Sequence, residues 1–214
     1  GVQTCALPIS SSDIVSLPLF ILMGELLFRT RLSQSLFSGI APWMSFLPGR
    51  LFHTTVIGCS MFAAISGSSA ATTQVVGRIT LNELLNRGYD KGIAVGSLAG
   101  AGTLGFLIPP SIPMIIYAVL AEESLLRLFT AGFLPGFALA FCFMAYMAIR
   151  SILNPKLVPA DDHTNWTWGD RLKSLVELGP VAFLILTVLG TMYAGIASPS
   201  EASAIGVLGA LAVA

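Results

Sequence analysis

Apolar segments separated by short polar stretches dominate the chain and predict an all-α protein that crosses a membrane several times. Two of these segments, 51–77 and 93–120, contain no Asp, Glu, Lys or Arg and are longer than a single span requires. The shorter apolar segments are predicted to be single spans or parts of one: 14–28, 128–149, 172–196 and 198–214.

Segment 51–77 is predicted to be a re-entrant helical hairpin. As one straight helix its 27 residues would extend about 40 Å, beyond the roughly 30 Å hydrocarbon core. Its centre carries the turn-forming sequence Ser66-Gly67-Ser68-Ser69. Irregular backbone at mid-membrane depth survives only where protein or a water-filled cavity covers it. Such interruptions are typical of ion and substrate sites in secondary transporters.

Segment 93–120 is predicted to be a second interrupted helix. It contains 28 residues without a charge, and Pro109-Pro110 and Pro113 break it. Proline removes a helical hydrogen bond and clashes with the preceding turn. Two half-helices joined by an unwound link are therefore expected.

The remaining segments are predicted to connect these units. Residues 32–49 form an interfacial arm, and 78–87 form a helix that Gly88 ends. Residues 151–171 form a cytoplasmic loop with tryptophans suited to the headgroup layer. The sequence from Ser198 to Glu201 has the pattern of a helix-capping box.

Composition and charge narrow the function classes. Hydrophobic residues make up 55% of the chain, charged residues 10%, and the mean hydropathy is +0.83, values typical of membrane proteins. The net charge is zero, so no nucleic acid or other polyanion is expected as a partner. The three scattered cysteines predict neither a disulfide framework nor a metal site.

Charge asymmetry supports the hairpin. If 51–77 turns back, ten of the eleven Lys and Arg residues share one side of the membrane and only Arg127 lies opposite. If the segment crosses, the division is four against seven. Cytoplasmic loops are enriched in Lys and Arg, so the hairpin is expected to enter from the cytoplasmic side.

The two ends of the chain indicate that this sequence is not a whole native protein. Residues 1–9 fit neither a signal peptide nor a span. They resemble a translated sequencing-adapter artefact and are predicted to be non-native, which leaves 10–214 as a partial transmembrane domain. The charge-poor residues that end the chain are too few to complete a span, so a longer protein is expected.

Six short motifs follow one another along the chain: PLFILMGE (18–25), SGSSAA (66–71), GY (88–89), GTLG (102–105), IPPS (108–111) and SPSEA (198–202). In this order they resemble the large membrane subunit of tripartite ATP-independent periplasmic (TRAP) transporters, the dicarboxylate-permease M-type subunit. The resemblance covers about residue 14 to the end. The last motif reads Ser-Pro-Ser-Glu, where the family more often has Thr-Pro-Thr-Glu.

The resemblance implies an elevator-type importer in the bacterial inner membrane, not an enzyme. Sodium ions would drive uptake of organic acids, of dicarboxylate or sugar-acid type, that a periplasmic binding protein delivers. A small membrane subunit would support the scaffold, and no cofactor beyond sodium would be needed. The chain would hold the first inverted repeat and the start of the second.

Oxygen-rich residues at the two interruptions are the candidate ion and substrate site. Sodium prefers oxygen ligands, and unwound segments expose backbone carbonyls. The amides that begin the helix after Ser69 would favour a carboxylate. The candidates are Ser66, Gly67, Ser68, Ser69, Gly102, Thr103, Gly105, Pro109, Pro110 and Ser111, with sodium assigned to Ser66, Ser68, Ser69 and Thr103.

Structural interpretations compete with these roles. The small residues Gly100 and Gly102 could serve close helix packing, and Thr72, Thr73 and Gln74 could bond their own backbone instead of lining the site. Glu25 is expected to pair with Arg29 one helical turn later.

Two rival functions remain at this point. One is a receptor-independent dicarboxylate or anion transporter of the wider ion-transporter superfamily. The other is an intramembrane serine hydrolase with Ser68 or Ser69 as nucleophile and His53 as base, although His53 would lie roughly 20 Å away along one helix. His163, in the polar loop, is expected to be incidental.

The hairpin topology predicts that residues 50 and 78 face the same compartment. Arg50→Cys and Arg78→Cys in the full-length protein should both be protected from a membrane-impermeant reagent added at the periplasmic side. Modification of one but not the other would show that 51–77 crosses the membrane.

Overall fold

The computed structural model describes residues 12–30, 32–159 and 166–213. Within these ranges the chain is helical and contains no strand, as the sequence predicts. Residues 1–9, Arg31, His163 and the side chain of Arg29 lie outside the described part. The helices are α1 Ser12–Arg29, α2 Leu32–Met44, α3 Leu51–Ser66, α4 Ser69–Asn86, α5 Lys91–Gly102, α6 Ile112–Leu120, α7 Leu125–Leu153, α8 Trp168–Tyr193 and α9 Pro199–Val213.

Helices α3 and α4 pack side by side in antiparallel directions. A Cβ atom placed on Gly58 of α3 would lie 3.7 Å from Cγ1 of Val76 of α4, so residues equally distant from Gly67 face each other. Helix α4 passes without a break through Gly77 and Arg78. The second arm is therefore longer than the charge-free segment, because a charged residue ends an apolar run without ending a helix.

The segment 93–120 is divided before its prolines. Helix α5 ends at Gly102, a 3-10 turn follows at Thr103–Phe106, and α6 begins at Ile112. Asp90 caps the start of α5, where its carboxylate accepts the Ile93 N–H at 2.9 Å. The α-helix ends among glycines, which are weak helix formers, and the link containing Pro109 and Pro110 comes only afterwards.

The two predicted terminal signals are confirmed. Gly88 has a φ of +81°, and it ends α4 with its N–H on Leu85 O and the Tyr89 N–H on Leu84 O, the Schellman arrangement. At α9, the Ser198 N–H donates to a Glu201 carboxylate oxygen at 2.8 Å and the Glu201 N–H donates to Ser198 Oγ at 3.4 Å. Both groups of the capping box are thus reciprocally satisfied.

Helix α2, predicted as an interfacial arm, packs along α8. Ser38 Oγ donates to Glu177 Oε2 at 2.7 Å, and Trp43 Nε1 donates to Ser174 Oγ at 3.1 Å. Between these bonds, Gly39 admits α8 so closely that an added Cβ would overlap the Leu178 side chain. Helix α1 packs on α9 and α3, and the main apolar core contains buried residues from each of the helices α1 to α9.

Helices α7 and α8 are long enough and apolar enough to cross a membrane, and they are the two such helices in the described residues. Of the 18-residue apolar stretch in each helix, only 17% is buried inside the molecule for α7 and 22% for α8. Leu134 on α7 is 82% exposed and Val176 on α8 is 76% exposed. An extended apolar surface of this kind is unusual in soluble proteins and is expected where a helix faces lipid.

Candidate functional site

The gap between α3 and α4 consists of Gly67 and Ser68. Gly67 adopts the left-handed conformation with φ +60° and donates its N–H to Ala63 O at 3.0 Å, which ends α3. Ser68 is extended, and its Oγ accepts the Ala71 N–H at 3.3 Å as the N-cap of α4. Glycine suits the left-handed position and serine suits the cap, so the local sequence dictates this break.

Side-chain hydroxyls hold the gap together. Thr72 Oγ1 donates to Ser68 O at 2.7 Å and lies 3.1 Å from Ser66 Oγ. Thr73 Oγ1 donates to Ser69 O at 2.9 Å. The two threonines therefore bond the backbone of their own helix, and Thr72 also connects the end of α3 with the first turn of α4.

The link between α5 and α6 is fixed by its own hydrogen bonds. Leu107 and Ile108 both direct their N–H groups to Leu104 O, at 3.0 and 2.8 Å. Ser111 is buried, and its Oγ donates to Phe106 O at 2.8 Å. Pro109 and Pro110 are also buried, and the peptide bond between them is cis.

The two interruptions meet through their backbones. The Ile112 N–H at the start of α6 donates to Gly67 O at 3.0 Å. A Cβ atom on Gly67 would lie 2.6 Å from Pro110 O, and one on Gly105 would lie 2.8 Å from the Ser69 nitrogen. Glycine is required on both sides because the contact is backbone against backbone.

Most of the candidate residues converge on this contact, but not all of them. Gly67, Ser68, Ser69, Gly105 and Pro110 lie at it, and Ser66 precedes it as the last residue of α3. Gly102 faces Thr73 within α4, so its lack of a side chain serves close helix packing. Thr103 is exposed, and its Oγ1 donates to Gly100 O at 2.7 Å. The Ser111 hydroxyl is directed back into the link instead of toward the tip.

Helices α1 and α7 place glycine residues next to the two helix breaks. A Cβ atom on Gly24 of α1 would lie 3.1 Å from Ser66 Cβ, and one on Gly132 of α7 would lie 2.8 Å from Leu107 O. Gly136, one turn along α7, faces Ile108 at 3.2 Å. Small residues at such positions allow helices to approach closely inside a membrane. The sequence signals for these contacts are the isolated glycines, but their partners could not be deduced from one sequence.

An open cavity of about 310 Å³ adjoins the contact. Among the residues that the structure describes, no ionisable side chain lines it, while the first turns of α4 and α6 both do. Because helix N-termini carry a partial positive charge, the cavity can accept an anionic group without a Lys or Arg. Its lining residues are Gly67, Ser68, Ser69, Ala70, Phe106, Ile112 and Pro113.

The serine hydrolase arrangement is not formed. His53 lies in the first turn of α3, whereas Ser68 follows the last turn of that helix. His53 is 1% exposed, and its Nε2 lies 2.6 Å from Pro48 O, so it donates to the turn between α2 and α3. A general base must reach its nucleophile within a hydrogen bond, and His53 does not.

The close approach of Gly105 to the tip predicts an asymmetric glycine series. Gly105→Ala should lower the free energy of unfolding by roughly 1–3 kcal/mol, because the methyl group must displace the Ser69 backbone. Gly96→Ala in α5, where nothing lies within 4 Å of the added Cβ, should raise it by up to about 1 kcal/mol through helix propensity. Thermal unfolding of the purified full-length protein measures both. Equal shifts for the two variants would contradict the backbone contact.

Comparison with known proteins agrees with a transport protein. The family model for the DctM component of the tripartite ATP-independent periplasmic transporter matches residues 2–214. The ectoine/5-hydroxyectoine TRAP transporter large permease protein of Ruegeria pomeroyi is 32% identical over 211 residues, which are 98% of this chain and 48% of the relative. The C4-dicarboxylate TRAP transporter large permease protein of Vibrio cholerae is 33% identical over 192 residues, 90% of this chain and 42% of the relative.

A third relative is the isethionate TRAP transporter permease protein of Oleidesulfovibrio alaskensis, 33% identical over 197 residues, which are 92% of this chain and 31% of the relative. The chain thus spans about half the length of the first two relatives and less of the third. Since the family model covers nearly the whole chain, the protein belongs to the DctM component family of the TRAP transporters, a family of membrane transport proteins and not of enzymes.

Proposed function

We propose that this chain is part of the large membrane subunit of a sodium-coupled importer of organic acids. In this proposal the substrate comes from a periplasmic binding protein, a small membrane subunit completes the transporter, and the assembly lies in the bacterial inner membrane. The observation that carries the proposal is the meeting of two helix interruptions beside an open cavity. Interrupted helices of this kind form ion and substrate sites in secondary transporters.

The substrate class is proposed from the chemistry of the cavity. Ser69 and Ala70 in the first turn of α4 line it, as does Ile112 in the first turn of α6. The positive potential of two helix N-termini favours a carboxylate or a similar oxyanion. Relatives named for C4-dicarboxylate and sialic acid transport are consistent with an acidic substrate.

The coupling ion is proposed to bind oxygens at the tip. Ser66, Ser68 and Ser69 supply three hydroxyl groups within four consecutive residues. Each hydroxyl oxygen has two lone pairs, so an oxygen already in one hydrogen bond can still bind a cation. The Thr103 hydroxyl donates to Gly100 O and makes no hydrogen bond with these three serines. Its part in the ion site therefore requires a separate test.

An elevator-type movement is proposed for the transport step. Of the helices that carry the two interruptions, α3, α4 and α5 contact one another, whereas α6 contacts α1 and α7. Helix α1 also pairs with α9, and α2 pairs with α8. The group of α3, α4 and α5 is consistent with part of a moving unit against a fixed scaffold. The α3–α4 pair would then be the re-entrant hairpin and α5–α6 the proline-broken membrane helix.

Removal of single hydroxyls tests the ion site. Ser68→Ala and Thr103→Val should each raise the sodium concentration for half-maximal uptake if the oxygen binds the ion. One lost contact is worth on the order of 1–2 kcal/mol, or about fivefold to thirtyfold in concentration. The measurement is uptake by the full-length transporter in proteoliposomes, with its small subunit and binding protein, over a range of sodium concentrations.

Ser198→Ala is the matched control, because Ser198 is also an N-cap serine but caps α9 instead of α4. It should lower the free energy of unfolding by about 1 kcal/mol without changing the sodium dependence. Unchanged sodium dependence in Ser68→Ala and Thr103→Val, with transport intact, would place the ion elsewhere in the protein. Full uptake without a binding protein would favour the receptor-independent alternative.

A further inference from the structure

The buried hydroxyl of Thr72 forms a hydrogen-bonded ring across the break between α3 and α4. Thr72 is fully buried and Ser66 is 1% exposed. The Thr72 Oγ1 lies 2.7 Å from Ser68 O and 3.1 Å from Ser66 Oγ. The Ser68 N–H closes the ring by donating to Ser66 Oγ at 3.4 Å. Ser66 Oγ also lies 3.5 Å from Ser68 O, the longest contact in the ring.

The distances assign the protons of the ring. Ser68 O is a carbonyl and can only accept, so the contact at 2.7 Å uses the single proton of the Thr72 hydroxyl. The Thr72 oxygen is then the acceptor at 3.1 Å, and the Ser66 hydroxyl is the donor. Ser66 Oγ therefore directs its proton toward Thr72 and retains its lone pairs for other partners.

A hydroxyl oxygen can bind a cation only when its proton points away from the ion. One Ser66 lone pair accepts the Ser68 N–H, which leaves a second lone pair. Thr72 supplies the acceptor that turns the Ser66 proton away. Without the Thr72 hydroxyl, the remaining acceptor for that proton is Ser68 O at 3.5 Å, which already accepts the Thr72 N–H at 3.0 Å.

We propose that Thr72 is a positioning residue for the sodium site at the tip, and this proposal rests on the proposed function. It orients the Ser66 hydroxyl so that the oxygen presents a lone pair to the ion before the ion arrives. Preorganisation of this kind lowers the cost of binding. Thr72 itself acts through Ser66 and needs no contact with sodium.

The test compares three variants of the full-length transporter in the sodium-dependent uptake assay. Thr72→Val keeps the side-chain shape but lacks the hydroxyl, and it should raise the sodium concentration for half-maximal uptake about threefold to tenfold. Thr72→Ser keeps the hydroxyl and should restore the wild-type value. Ser66→Ala should raise the value at least as much, and the double variant Ser66→Ala with Thr72→Val should show no further increase.

Thr80→Val is the matched structural control. Thr80 is 1% exposed on the same helix, and its Oγ1 donates to Val76 O at 2.8 Å, so it loses the same type of bond away from the tip. It should lower stability without moving the sodium dependence. A purely structural role for Thr72 predicts this same behaviour for Thr72→Val.

The outcomes separate the two proposals. Uptake by the wild type that does not depend on sodium overturns the proposed function, and this inference with it. Sodium-dependent uptake with an unchanged half-maximal concentration in Thr72→Val overturns the positioning role alone. If Thr72→Val does not insert into the membrane, Ser66→Ala provides the test. An unchanged sodium dependence in Ser66→Ala would show that the Ser66 hydroxyl does not bind the ion, which would also overturn the positioning role of Thr72.

Discussion

The backbone hydrogen bond between the Ile112 N–H and Gly67 O is the constraint on which the site depends. It joins the start of α6 to the gap between α3 and α4. Two helix breaks inside an apolar molecule expose peptide groups, and each unpaired buried group costs a free energy comparable to a lost hydrogen bond. Because the two breaks meet, a peptide N–H of one break pairs with a peptide carbonyl of the other, and part of that cost is avoided. The absence of side chains at Gly67 and Gly105 permits the meeting.

Polar side chains satisfy much of what remains. Ser68 caps α4, Thr72 and Thr73 donate to the carbonyls of its first turn, and Ser111 donates to Phe106 O. The polar residues of this region therefore have a structural purpose in addition to the chemical one proposed for them. A transport site at a helix break needs the same oxygens that keep the break stable, so substitutions there are expected to affect folding and ligand binding together. The matched controls on α4, α5 and α9 separate these effects.

Local chemistry made much of the fold predictable from sequence. The gap at Gly67, the stop at Gly88 and the capping box at Ser198 each follow from residues adjacent in the chain, and the structure has all three. The boundary at Arg78 was less predictable because charge limits an apolar run, whereas hydrogen bonding limits a helix. The α5 helix likewise ends at Gly102, before the prolines that mark the link.

The candidate site was predictable as a composition but not as an arrangement. Thr103 and Ser68 look alike in sequence, yet the Thr103 hydroxyl donates to Gly100 O at the end of α5, whereas the Ser68 hydroxyl oxygen accepts the Ala71 N–H at the start of α4, beside the cavity. The sequence did not show whether the Thr72 hydroxyl lines the site or bonds its own backbone. Its hydrogen-bonded ring with Ser66 and Ser68 forms only because of the left-handed turn at Gly67. The contacts of Gly24 with Ser66 and of Gly132 with Leu107 join residues far apart in the chain, and a single sequence contains no pattern that predicts such pairs.

Protection of a cysteine in the cavity tests the central claim, that the contact of the two breaks forms the ligand site. Ala70 is exposed and lines the cavity, while Ala99 is exposed on α5 and is not among the lining residues. In a Cys142→Ser background of the full-length transporter, sodium and substrate together should slow thiol modification of Ala70→Cys and leave that of Ala99→Cys unchanged. Equal modification of Ala70→Cys with and without these ligands, in a protein that still transports, would contradict the account.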